Sequence, residues 1–241
     1  MSCEKIPRRL HKNRFSPAAQ RGCFVNMRTK RLTESAMLLA VAIVLELISK
    51  MLIPELPFGG QITLVSMLPV VLISYRHGVR WGLVAGVTYA LLEMALGAKT
   101  VAAAFQPGYF GDGVMLLNAA VMCLLDYLVA FTVLGLGGIF RNRMKTPGGA
   151  LAAGAAVALF ARYVAHIASG YILFAGWAEW FFTQDGFPAW GAALVDALSP
   201  KVLGFVYSVI YNGFYMIPEI VLTLSASLLL AKIPGIVKKV S

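Results

Sequence analysis

The chain has 241 residues, of which 59% are hydrophobic and 13% charged, with a mean hydropathy of +0.76. Soluble domains carry about 25% charged residues, and a soluble chain of this size cannot hide so much apolar surface from water, so the composition points to an integral membrane protein. The formal charge of +10 would suggest nucleic acid in a soluble protein, but here the cations fall mostly between apolar runs, where they report topology instead.

Residues 1–26 are basic, contain Pro7 and Pro17, and have no apolar core long enough for a signal peptide. They are expected to form a disordered N-terminal extension, with residues 27–241 making the transmembrane domain. Two readings of the extension stay open: a cytoplasmic tail that binds anionic lipid, or a start assigned too early, since Met27 opens its own basic leader. Three cysteines, Cys3, Cys23 and Cys123, form no CxxC pair and supply neither a disulfide framework nor a zinc site.

A helix needs about 20 apolar residues to cross the hydrocarbon. Six stretches qualify as candidates: 33–53, 62–75, 78–96, 114–140, 150–174 and 202–233. The second is short for a crossing, so it must tilt, abut an irregular segment or start earlier. With six spans, 17 of the 21 Lys and Arg fall on one side, which predicts that both termini are cytoplasmic.

In the first span, Ala36 and Ala40, joined by Ala42, give the small-residue spacing that lets helices approach closely. Glu46 and Lys50 are spaced as an i,i+4 pair. Glu93 lies in the third span, Asp126 in the fourth, Arg162 and His166 on one face of the fifth, and Glu219 after Pro218 in the sixth. Ionisable groups inside a span are costly and face the bundle interior or a cavity. For Arg162 and His166 the structural alternative is pairing with an acid and with a backbone carbonyl. For Glu219 it is satisfying amides freed by the proline.

The long connection 175–201 carries Trp177, Trp180, Phe181, Phe182, Phe187 and Trp190, which suits either an interfacial belt or a lid. The sixth span opens with Tyr207, Tyr211 and Tyr215 at i,i+4, with Asn212 beside them. Taken together, a carboxylate, an imidazole, an amide and several aromatics suit a flat, cationic solute with hydrogen-bonding edges.

The order of these residues resembles the thiamin-specific substrate-binding (S) component of energy-coupling factor vitamin transporters, over about residues 31–232. The resemblance rests on Arg31-Leu32-Thr33-Glu34-Ser35-Ala36 and on Leu68-Pro69 followed by Tyr75-Arg76-His77-Gly78. It rests also on Leu124-Leu125-Asp126-Tyr127, on Arg162-Tyr163-Val164-Ala165-His166 with Ser169-Gly170, and on Tyr207 to Gly213. It implies an all-α bundle of six transmembrane helices in the cell membrane, both ends cytoplasmic, with a thiamin pocket near the outer face and no cofactor. It also implies docking of the first helix, through Ala36 and Ala40, on a transmembrane coupling subunit driven by two ATP-binding subunits.

Carried over residue by residue, the pocket acid falls on Asp126 with Tyr127 beside it, and the histidine on His166. The sixth-span pair falls on Tyr207 and Asn212, and two further aromatics on Tyr89 and Phe174. The chain departs from the pattern in loop 54–61, which lacks the Trp and acid that some members place near the ligand and offers Phe58 instead. Asp126 is also a methylene shorter than the glutamate of some members.

Other functions fit less well. No Walker A sequence occurs, so ATP hydrolysis would belong to partners. An intramembrane protease would need two close aspartates, but Asp112 and Asp126 are 14 residues apart, roughly 20 Å along a helix. Neither GxSxG nor HExxH is present. An S component for another small vitamin or precursor has the same fold with a different pocket, and stays open.

Overall fold

A computed structural model describes residues 17–56, 60–110, 114–233 and 235–237, with side chains from residue 27 onward. Among the described residues it is all helical. Helix α1 (Pro17–Leu52) leads through an irregular stretch into α2 (Leu68–His77), α3 (Val79–Leu96) and the short α4 (Ala98–Ala103). Helix α5 (Met115–Gly138) is followed by α6 (Pro147–Phe174), the short helices α7 (Ala178–Phe182) and α8 (Trp190–Ala197), and α9 (Pro200–Leu230). Thr146 and Ser199 enter α6 and α9 in extended conformation with proline next, where its missing N–H is an orphan anyway. Helix α1 begins ten residues inside the stretch expected to be an extension.

Among the described residues, five helices are long and apolar enough to cross a membrane: Met27–Leu52, Val79–Leu96, Met115–Gly138, Pro147–Phe182 and Pro200–Leu230. Their outward faces are apolar, with Met37, Val84, Leu116, Phe160 and Leu229 exposed as a lipid-facing surface requires. The sixth expected span is different. Helix α2 is only ten residues, about 15 Å long, and every residue from Leu68 to Tyr75 is buried in protein. The irregular stretch before it is held by side chains. Leu64 N–H donates to Ser49 Oγ at 2.7 Å, Thr63 N–H donates to the Glu219 carboxylate at 3.0 Å, and the Gln61 amide donates to Ser49 O and Ile53 O. Irregular backbone survives at membrane depth only with such internal partners. Val65 sits there at φ 53, a strained conformation for a β-branched residue.

Helix α5 changes pitch three times: α over Met115–Met122, π over Cys123–Val129, a short α turn, then 3₁₀ over Val133–Gly138. Its 3₁₀ end is pinned backbone to backbone. A Cβ on Gly135 would strike the Leu83 backbone, and one on Gly138 the carbonyl of Ser74. Ser74 Oγ donates to Gly135 O and accepts from Gly138 N–H, so this close contact leaves no polar group bare. At the same end Arg76 pairs with Glu34 at 3.1 Å and donates to Ile236 O at 2.7 Å. The clustering of basic residues there is compatible with the orientation expected from charge.

The connection 175–201 is mostly helical, folding as a 3₁₀ turn, α7 and α8. Its aromatics make a cluster in which the Phe181 ring lies 5.2 Å from Tyr207 and 5.9 Å from Tyr211. The segment thus caps the N-terminal end of α9. Ala42 is fully buried against the core that holds Met67, Val70 and Leu134, whereas Ala36 and Ala40 are exposed. Ala42 therefore does not share their face.

Candidate functional site

A cavity opens among α1, α3, α5, α6, α9 and the stretch before α2. Its non-atom space, mouth included, is about 960 Å³. The π segment of α5 explains how one helix offers it so many groups. Bonding i→i+5 widens the turn, and Met122, Asp126, Tyr127 and Phe131 all line the cavity. Such single π turns inside α-helices concentrate at functional sites.

Asp126 is the centre of the hydrogen-bonded wall. Its Oδ1 is 2.9 Å from His166 Nδ1, and its Oδ2 accepts from Ser169 Oγ at 2.6 Å. Arg162 Nε donates to His166 Nε2 at 3.2 Å, so Nε2 carries no proton and Nδ1–H is the donor to Asp126. The tautomer follows from the partners. A carboxylate has about four acceptor positions, and two remain free on a side chain that is 22% exposed to the cavity.

Arg162 has no carboxylate within 4.0 Å among the described residues. It stacks over the Phe131 ring at 4.5 Å and points a nitrogen at Met67 Sδ, 2.7 Å away. The acid pairing considered for Arg162, and the backbone carbonyl for His166, are thus replaced by a side-chain chain Asp126–His166–Arg162.

Helices α6 and α9 meet at Gly170, where a Cβ would strike Ser208 Oγ and come within 2.9 Å of Asn212 Nδ2. The absence of that atom lets Asn212 donate to His166 O at 3.2 Å and Ser208 O at 2.8 Å. Tyr215 OH donates to Asn212 Oδ1 at 2.6 Å. Both amide protons are therefore spent on the protein, and Asn212 offers a ligand only the second lone pair of Oδ1. Nearby, Tyr163 OH donates to Val209 O at 2.7 Å and locks the same helix pair.

Of the residues anticipated from sequence, Asp126, Tyr127, Phe174, His166, Tyr207 and Asn212 all line the cavity. Tyr89 does not. It is fully buried behind Phe131, with ring centroids 5.3 Å apart and edge to face, so it backs a wall residue. Asp112 and Phe58 lie outside the described residues.

Sequence reasoning missed the opposite wall. Lys50 Nζ lies 3.6 Å from Glu46, as their spacing anticipates, but also 3.7 Å from Glu93, and all three line the cavity. Ser66 Oγ is 2.8 Å from Glu46 and 2.9 Å from Thr63 Oγ1. The Thr63 hydroxyl and amide in turn donate to Glu219. Glu219 thus holds the stretch before α2 and not the amides of its own helix, which continues unbroken through Pro218. Tyr211 and Tyr215 line the cavity with Tyr207. No signal within a single helix brings Lys50 to Glu93.

Residues 32–237 match the model of the thiamine transporter protein family (Thia_YuaJ). The chain is 29% identical over 201 residues to the thiamine transporter ThiT of Bacillus subtilis, covering 80% of this chain and 85% of that one. A solved structure of ThiT from Listeria monocytogenes has a similar fold, with a TM-score of 0.56 at 20% identity over 88% of this chain and 98% of that one.

Proposed function

The chain belongs to the thiamine transporter protein family and is a multi-pass membrane protein that serves thiamin uptake as the substrate-binding component, not as an enzyme; we propose that thiamin binds in the cavity centred on Asp126. One observation carries this reading: a carboxylate held by two hydrogen bonds keeps free acceptor positions toward a cavity walled by aromatic rings. The aminopyrimidine of thiamin is flat and carries an amino group that donates hydrogen bonds. Asp126 accepts from it in a charge-assisted bond, with His166 fixing the carboxylate from behind. Tyr127, Phe174 and Tyr207 supply faces for stacking, and Tyr89 supports the Phe131 wall. Purified, detergent-solubilised protein titrated with thiamin should give a saturable change in intrinsic fluorescence or heat. Saturation by another vitamin and not by thiamin would keep the fold and remove this substrate.

Uptake also needs an energy source. The sequence has no nucleotide-binding loop, so the chain is read as working with a transmembrane coupling subunit and two ATP-binding subunits. The exposed Ala36–Ala40 face of α1 supports that reading, because small residues turned outward leave room for a partner helix. Ala40→Leu should leave thiamin binding by the isolated protein intact and abolish uptake in cells. Loss of binding together with uptake would mean that this face serves the protein's own fold.

A further inference from the structure

The wall opposite Asp126 carries a carboxylate held more loosely than the other buried acids. Glu93 on α3 is 3% exposed and lines the cavity. Its Oε2 is 3.7 Å from Lys50 Nζ, beyond hydrogen-bond distance, and its Oε1 has no hydrogen-bond partner among the described residues. The nearest donor is the Tyr89 hydroxyl one turn earlier, which interacts with the carboxylate from behind, away from the cavity.

The other buried acids differ. Asp126 and Glu219 each accept two hydrogen bonds, and Glu46 accepts one from Ser66. Buried carboxylates are nearly always hydrogen-bonded, and an ionisable group held loosely at membrane depth marks a function.

The chemistry of the ligand explains a loosely held carboxylate. The permanent charge of thiamin resides on a quaternary thiazolium nitrogen, which has no proton to donate. Such a cation takes no hydrogen bond from a carboxylate and is held by charge alone, so the acid best suited to it is one with few donors of its own. Lys50 lies between Glu46 and Glu93 at ion-pair distances only, so with both acids ionised one cation faces two anions. Within this trio the excess is negative, and the cavity's other cation, Arg162, stacks on Phe131 in the hydrogen-bonded wall.

Resting on the reading of this cavity as the thiamin site, we propose that Glu93 is the counter-charge to the thiazolium ring, with Glu46 and Lys50 setting the net charge of that subsite. The two halves of the ligand are then read separately, the aminopyrimidine by hydrogen bonds at Asp126 and the cationic ring by charge at Glu93.

Two ligands separate these roles: thiamin, and 3-deazathiamin, in which carbon replaces the charged ring nitrogen and the aminopyrimidine is unchanged. Glu93→Gln should weaken thiamin at least about tenfold, as loss of one unit charge at contact distance implies, and leave the neutral analogue within about twofold. Asp126→Asn should weaken both together. Lys50→Met, which removes the competing cation, should raise the preference for thiamin over the analogue, and it decides the matter should Glu93→Gln not fold. Equal loss of both ligands, or of neither, in Glu93→Gln overturns the proposal, as does a lowered preference in Lys50→Met. A parent protein that binds neither ligand removes the thiamin reading of the cavity and the subsite with it.

Discussion

The two walls of the cavity are built by opposite means. Across α5, α6 and α9 the polar groups are joined by directed hydrogen bonds of 2.6–3.2 Å, from Ser169 and His166 on Asp126 to Tyr215 on Asn212. Across α1 and α3 the charges facing the cavity meet only as ion pairs at 3.6 and 3.7 Å. Hydrogen bonds fix where a donor or acceptor points, whereas a loose ion pair fixes only the sign of the local field. A wall of the first kind reads the edge of a ligand. A wall of the second kind reads its charge.

The largest effect should come from the directed wall. Asp126→Asn keeps the size of the side chain but removes the charge and one acceptor. Charge-assisted hydrogen bonds contribute about 1.5–3 kcal/mol, so thiamin affinity measured by calorimetry should fall roughly 10- to 150-fold with folded yield near normal. Parent-like binding would show that the hydrogen-bonded wall is structural only. A smaller effect should follow Gly170→Ala, whose new methyl group must push Asn212 away from His166 O. The wall keeps its chemistry and loses its geometry, and loss of about one hydrogen bond predicts roughly tenfold weaker binding. Gly176→Ala serves as the control, since its methyl group meets nothing within 4 Å, and it should bind as the parent does.

The directed wall was largely legible in the sequence, and the charge-reading wall was not. Asp126, His166 and Asn212 stand out because each is a polar group inside an apolar run, and that expense is visible without coordinates. Glu93 stands out by the same rule, but its meaning depends on Lys50 from another helix and on hydrogen bonds it lacks. Neither has a sequence signature. Hydropathy also located the stretch of α2 and anticipated its shortness. It could not show that the chain before α2 runs irregularly under the protection of Glu219 and Ser49, because that depends on which side chains meet its amides. Tyr89 was drawn to the pocket by family pattern, yet it is fully buried against Phe131, and Phe131 is the ring that lines the cavity. The π turn at Asp126 is likewise a property of packing, since nothing in Cys123–Val129 departs from ordinary helix-forming sequence.

The smallest effect should come from the polar groups behind the charge-reading wall, and it tests whether that wall is built for binding or for folding. Ser66 touches Glu46 and Thr63, and Thr63 holds Glu219, so this chain of contacts ties α1, the stretch before α2 and α9 together. Hydrogen bonds between transmembrane segments average about 0.6 kcal/mol in measured cases and reach about 1.7 kcal/mol, so Ser66→Ala should cost stability of about 1 kcal/mol, read as a lowered midpoint in detergent. Thiamin affinity should change less than about threefold, because the 1 kcal/mol is taken from the protein's own cross-link and the Glu93 charge is untouched. Loss of affinity as large as that of Asp126→Asn, at unchanged stability, would instead place Ser66 and Glu46 in the ligand's reach and merge the two walls into a single hydrogen-bonded site.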